Sequence, residues 1–294
     1  MSDTTTTTKT AAASAAQAPT AAKARTKSKS KAASTNKWLI RLRTLLLEWA
    51  IPILAVALWQ WFGSMEWISS RILPTPAAVV EAGWKLVENG QLFTYIGDST
   101  RRAFIGFAIG GGIGFALAIL NGLLPLSEKL TDSSIQMIRT IPHLSLIPLI
   151  IAWFGIGEQG KIFLVALGVA FPIYLNTLHG IRSIDHGLIE MGRTYGLRGF
   201  GLFRSIIFPG ALPSILVGLR FALGIMWITL IVSETISSDS GIGYMAMNAR
   251  EFFQMDVVVL SIIIYALLGK LSDWIAKQME RSWLQWHPHF RNGK

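Results

Sequence analysis

From about residue 45 onward, long apolar runs alternate with short polar interruptions, and most runs are long enough to be read as membrane-crossing helices. The pattern predicts six spans, over residues 45–62, 103–120, 133–154, 161–178, 214–236 and 257–275. Trp49, Trp59, Trp61 and Trp67 ring the first, as amphipathic rings do at a membrane interface. After it, Thr75 is a natural N-cap and Pro76 a natural first helical residue, with Asn89-Gly90 as a stop. Val80, Trp84 and Val87 share one face of that segment, so a short amphipathic helix is expected on the outer surface. In the second span Gly106, Gly110 and Gly114 recur at every fourth position, which lets another helix approach closely. Pro142 and Pro148 interrupt the third span and Pro172 lies in the fourth. The carbonyls they free need partners within protein or a wet cavity, so both spans are expected inside the bundle.

The longest polar interruption covers residues 179–213 and carries Arg182, Arg193, Arg198 and Arg204, the mark of a cytoplasmic segment. Counting crossings back from it puts the N-terminus in the cytoplasm. Counting forward does the same for the C-terminal tail with Lys277, Arg281, Arg291 and Lys294.

Composition agrees with a membrane protein: 51% of residues are hydrophobic and 15% charged, and mean hydropathy is +0.46. The formal charge of +10 does not point to nucleic acid, because nine of the 27 Lys/Arg fall within residues 1–43 against a single acid, Asp3. Within residues 1–36 no aromatic is interleaved with the bases, so no nucleic-acid partner is expected. Residues 1–36, rich in Thr, Ala and Lys, read as a disordered basic tail, and residues 37–294 as the membrane domain. The tail does not read as a signal peptide, since no small-residue cleavage site follows the first span. With no cysteine there is neither a disulfide nor a thiolate metal site.

Candidate chemistry is sparse. Residues 155–161 match GxGxxG and nearly a phosphate-binding loop, but Ile162 stands where a Ser/Thr would ligand magnesium and no strand precedes it, so a tight turn between spans is expected. His143, His179, His186, His287 and His289 have no acidic or thiol partners at ligand spacing, and no nucleophile elbow accompanies Asp185 and His186. No catalytic residue, cofactor or metal is expected. Glu234, near the outer end of the fifth span, is the most notable acid in a membrane segment. Such a residue faces a pathway or is capped and paired within the bundle, and the second reading is favoured for an anionic cargo. Arg139 and Arg220, at the inner ends of spans three and five, are candidates to attract an anion, although snorkelling to the interface explains them equally well.

The loop carries the most specific signal. Glu190, Gly196, Ile206 and Pro209 stand at the spacings of the EAA signature found in membrane subunits of bacterial ATP-binding-cassette importers, with Met191 and Gly192 replacing its two alanines and Phe208 its leucine. Outside the loop, ILPTP at 72–76, IQMIRTIPHLSLIPL at 135–149, WFGIGE at 153–158, FPIYLNTLHGIR at 171–182, SETIS at 233–237, SGIGYMAMNAREF at 240–252 and YALLGKLSD at 265–273 resemble the nitrate, taurine and sulfonate permease group. The aliphatic sulfonate permeases are the most similar of these. Residues 1–36 lie outside the resemblance.

What the resemblance implies is an all-α, six-span permease of the type I importer fold in the bacterial inner membrane, with no covalent chemistry of its own. A homodimer of such permeases sits on two cytoplasmic ATP-binding subunits, and an extracytoplasmic binding protein delivers the substrate. The loop at 179–213 would then couple ATP hydrolysis to alternating access through Glu190, Gly196, Ile206 and Pro209. Gly196 and Gly199 suit a sharp turn after a short helix from Leu188, and Glu190 a charge-assisted contact with a basic partner. The implied cargo is an alkanesulfonate, a sulfur source, with taurine, nitrate or bicarbonate as the rival. A passive channel or membrane scaffold would need no such loop, and an intramembrane enzyme would need paired titratable groups where only Glu234 is evident.

Overall fold

The structure, a computed structural model, describes residues 50–236 and 238–286. The chain divides into two compact units, residues 1–59 and 60–294. The expected tail over 1–36 and the first residues of the expected first span lie outside the described residues.

Regular structure among the described residues is entirely helical. An apolar helix, α1, covers Ala50–Ser64. Helix α2 (Pro76–Glu88) begins as expected, with the Thr75 hydroxyl accepting from the Ala78 N–H at 3.3 Å and proline in the first turn. Helix α3 (Gln91–Leu123) follows after Gly90, whose φ of 72° turns the chain sharply. It starts well before Ala103, so Ser99, Arg101 and Arg102 lie within a continuous helix about 50 Å long, more than a bilayer's hydrocarbon core requires.

The third apolar run is not one straight helix. Helix α4 (Pro125–Thr140) gives way at Ile141 and Pro142 to a 3₁₀ turn, His143–Leu146, and then to α5 (Ile147–Phe154). The two halves are bent by 82°. Proline supplies no N–H and forces the preceding residue out of helical dihedrals, and Ile141 is indeed extended at φ −72°, ψ 122°. Pro172, by contrast, stays inside an unbroken α6 (Glu158–Arg182).

Helix α6 is the axis of the bundle, packed against α3 on one side and α9 (Phe208–Ile236) on the other. Lipid tails are as apolar as Leu, so helices associate in a membrane by close backbone packing. Gly110 and Gly114 of α3 provide it here: a Cβ would lie 2.0 Å from the Ala166 carbonyl oxygen at the first and 2.3 Å from that of Ala170 at the second. The core joins Val165 and Val169 of α6 to Leu223, Met226 and Leu230 of α9, with α10 (Ile242–Glu251) and α11 (Met255–Trp283) adding Ile242, Met245, Ile264 and Tyr265. Four helices among the described residues are long and apolar enough to cross a membrane, five if the bent pair counts as one crossing. The remaining elements, α7 (His186–Thr194) and α8 (Gly199–Leu202) with a π turn at Phe203–Ile207, belong to the loop.

Candidate functional site

The loop folds on itself through residues of its own signature. Asp185 caps α7, its Oδ1 accepting from the Gly187 N–H at 2.8 Å. The helix ends in a Schellman pair: the Gly196 N–H donates to the Arg193 carbonyl at 2.9 Å and the Leu197 N–H to that of Gly192 at 3.0 Å. This arrangement needs a left-handed residue, and Gly196 has φ 87° with open space around it. Gly192, where the signature has alanine, is buried against the second half of the loop, where a Cβ would lie 2.3 Å from Ile206 Cδ1 and 2.9 Å from Leu202 Cδ1. Ile206 therefore closes the loop over α7, and Leu202, Ile207, Ile181, Ile184 and Ala211 form the small core beneath.

Pro209 follows the π turn as the second residue of α9. The Phe208 N–H reaches back five residues to the Phe203 carbonyl, and Pro209, with no N–H to offer, follows in the next turn as the chain enters α9. Glu190 projects from α7 as an exposed carboxylate. Around it Leu188, Met191, Tyr195 and Phe200 are exposed, Tyr195 by 82%. Among the described residues the α7 segment thus exposes one carboxylate together with several apolar side chains.

A second site lies far along α9, where Glu234 is 1% exposed. Its Oε1 accepts from Arg102 Nη1 at 2.8 Å, and its Oε2 from the Gly243 N–H at 2.9 Å and the Tyr265 hydroxyl at 3.0 Å. The Ser99 hydroxyl lies against both oxygens, at 2.9 and 2.7 Å, while accepting from the Ile242 N–H at 2.8 Å. The carboxylate thereby caps the start of α10 from a distance, where the helix dipole favours negative charge. A Cβ at Gly243 would come within 2.4 Å of Glu234 Cβ, so only glycine fits there.

Arg102, 4% exposed, uses every donor it has. Nε and Nη2 hold Glu158 in a fork at 2.7 and 2.6 Å, Nη1 holds Glu234 and the Ser240 carbonyl, and Nη2 also donates to the Ser240 hydroxyl. Lys161 stands 3.4 Å from Glu158. Two cations and two carboxylates thus balance in charge, and only Glu158 is substantially exposed. For Arg102 and Glu234 this satisfies the condition for keeping charge in a membrane interior, that each ion be paired and fully hydrogen-bonded.

Sequence reading singled out Glu234 and missed Arg102, Ser99, Tyr265 and Glu158. The expected second span begins just after Arg102, and Glu158 falls within the expected turn at 155–161. One signal pointed to Arg102: a carboxylate inside a span requires a cation, and Arg102 is the arginine bordering the second apolar run.

The other pathway candidates lie elsewhere. Arg139 is exposed in the last turn of α4. Arg220 lies fourteen residues before Glu234 on α9, about 21 Å along the helix. Its Nε donates to Asp273 Oδ1 of α11 at 2.7 Å, while Lys277 holds Oδ2 at 2.8 Å. Both Arg220 and Asp273 border a cleft of about 530 Å³ whose wall is mainly apolar, with Val217, Phe221, Ile225 and Ile228 from α9. Among the described residues no cluster of His, Asp or Glu is arranged to hold a metal.

Residues 108–285 match the family described as the binding-protein-dependent transport system inner membrane component. The chain belongs to this family. It is therefore a multi-pass inner-membrane permease of an ATP-binding-cassette importer, with an all-helical importer fold. Permeases of this kind work with ATP-binding subunits and a substrate-binding protein. This permease is 58% identical over 259 residues, 88% of its length and 97% of the relative's, to a protein of Escherichia coli (strain K12) named as an aliphatic sulfonates transport permease, SsuC. It is 43% identical over 236 residues, 80% of its length and 86% of the relative's, to the protein of the same name in Bacillus subtilis (strain 168). In fold it is similar to the crystal structure of an amino acid ABC transporter with histidines, with a TM-score of 0.52 and 17% identity over 66% of this chain and 96% of that one.

Proposed function

We propose that this permease carries aliphatic sulfonates into the cell, driven by ATP hydrolysis on partner subunits. The observation that carries the reading is the likeness to the two sulfonate permeases, which extends over nearly the whole membrane domain. In this reading two copies of the chain form the translocation unit, two ATP-binding subunits lie beneath them, and the binding protein delivers cargo from outside. Both termini face the cytoplasm, residues 1–36 form a basic tail there, and the chain crosses the membrane six times, with α4 and α5 as one broken crossing.

The loop at 179–213 takes the part of the ATPase dock. Glu190, exposed on α7 as are Leu188 and Met191, meets a basic groove on the ATPase, while Gly196, Ile206 and Pro209 hold the shape of the loop. Arg220 and Arg139 are the cations an anionic cargo would meet. The cleft beside Arg220 has an apolar wall that suits an alkyl chain, and an anionic head would compete there with Asp273 for the Arg220 guanidinium, with Glu280 also on the lining. Glu234 borders the pathway as a closed joint, since its oxygens are already filled.

The test is uptake of a labelled alkanesulfonate in cells that carry the chain, lack it, or carry Gly196→Asp, with taurine and nitrate as competitors and no second sulfonate transporter present. Uptake that is lost in the last two strains, with the variant still in the membrane, supports cargo and coupling together. Unchanged uptake on deletion overturns the cargo. Competition by taurine or nitrate better than by unlabelled sulfonate reassigns it.

A further inference from the structure

One helical stretch, Gly199–Ile236, runs from the loop through the π turn at Phe203–Ile207 to the buried charge cluster, about 55 Å in length. At its near end Gly196 and Gly199, both at positive φ, separate it from α7. At its far end Glu234 is tied to α3 through Ser99 and Arg102, to α11 through Tyr265, and to the first residues of α10 through the Gly243 N–H. Arg102 extends that tie to α6 through Glu158 and to the turn before α10 through Ser240. A long helical element with a turn at one end and its far-end carboxylate held on every side is a lever with a fixed head.

We propose that Arg102 and Glu234 are positioning residues for transport: they fasten the far end of this lever, so that displacement of the loop reaches the 240–243 turn and α10 as one rigid motion. The inference rests on the reading of the loop as the ATPase dock. Neither residue has capacity left for a cargo, because all five Arg102 N–H groups and both Glu234 oxygens are occupied. The attachment is also all or none. A carboxylate with 0% side-chain exposure has no water to replace a departing guanidinium, so partial loosening of α9 from α3 is strongly disfavoured. Displacement of a stiff element passes to the elements at its far end only through the contacts that join them.

The chain has no cysteine, so Asp239→Cys, beside the cluster and exposed, provides a single label site. The full complex of permease, ATPase subunits and binding protein is reconstituted in lipid nanodiscs, and maleimide labelling at 239 is timed without nucleotide and with vanadate-trapped ADP. The intact pair should show a nucleotide-dependent change in labelling rate. With Arg102→Met and Glu234→Met together, which leave no charge unpaired between the two, the ATPase should stay bound and hydrolyse ATP. The labelling change should vanish, and uptake should fall about tenfold or more. Glu158→Leu together with Lys161→Met, which cuts the tie of Arg102 to α6 and removes both charges there while leaving Arg102 paired with Glu234, should reduce both readouts if the first double variant does not reach the membrane. Wild-type labelling change and uptake in either variant overturns the proposal. Absence of any nucleotide-dependent change in the unmodified complex instead overturns the reading of the loop, and the labelling readout does not depend on which cargo is carried.

Discussion

Arg102 Nη1 and Glu234 Oε1 lie 2.8 Å apart although 132 positions separate them in the chain. The pair joins the first long helix of the described bundle to the end of α9, and it closes around a turn rich in glycine. Buried ion pairs seldom stabilise a fold more than well-packed apolar residues would, so their value lies in holding one arrangement and in the cost of breaking it.

Removing the cation alone should be far worse than removing both partners. Arg102→Met alone leaves the buried Glu234 carboxylate without a cation and should destabilise the protein by about 3–5 kcal/mol, while Glu234→Leu alone leaves Arg102 held by Glu158 and should cost less. The double apolar replacement should recover most of the loss in Arg102→Met. Thermal unfolding of the purified permease in detergent measures all three; equal losses in Arg102→Met and the double variant would contradict the pairing.

Gly196 is required for its backbone conformation rather than for space. At φ 87° with nothing within 4 Å of a Cβ, Gly196→Ala should cost about 1–2 kcal/mol in the loop, and Gly196→Asn less, since asparagine tolerates the left-handed region. Co-purification of the ATPase with the permease should therefore fall in the order Gly, Asn, Ala, Val at this position. Val holding the ATPase as well as Gly would contradict the role of the turn.

Gly110 is required for the opposite reason. Gly110→Val would drive a side chain into the Ala166 carbonyl and force α3 from α6, so the amount of folded permease in the membrane should drop sharply. Gly112→Ala, two residues away with no atom within 4 Å of its Cβ, should leave that amount unchanged. Immunoblots of membrane fractions distinguish the two.

The exposed Glu81–Lys85 pair on α2 should be thermodynamically silent near neutral pH. The hydrogen bond and charge of Lys85 hold the Glu81 carboxyl below its ordinary value of 4.5, and Glu81 holds the Lys85 ammonium above its ordinary 10.5. A depressed carboxyl contributes stability above its unfolded value and loses it as pH falls further. A raised ammonium contributes below its unfolded value and loses it as pH rises further. Neither titrates between about pH 5.5 and 9, so the melting temperature of Lys85→Ala should parallel that of the unmodified protein across that window. A slope appearing there in the variant alone would contradict this.

Local signals in the chain carried much of this architecture. The apolar runs marked the membrane helices, because each must be long enough to cross hydrocarbon and satisfies its own backbone hydrogen bonds. Thr75 with Pro76 marked the start of α2, and the spacing of Glu190, Gly196, Ile206 and Pro209 marked the loop. These features depend on residues close together in sequence, and so they could be read without a fold.

Only the tertiary structure decided what depends on distant partners. The glycines of α3 needed a neighbour, and it proved to be α6. The prolines of the third run could kink or break a helix, and packing made the break an 82° bend, while Pro172 left α6 continuous. Glu234 could face a pathway or be paired, and Arg102, Ser99, Tyr265 and Gly243 filled it. A charge inside a membrane announces from sequence that it needs a partner, but which partner depends on which helices meet, and that is a property of the packed bundle.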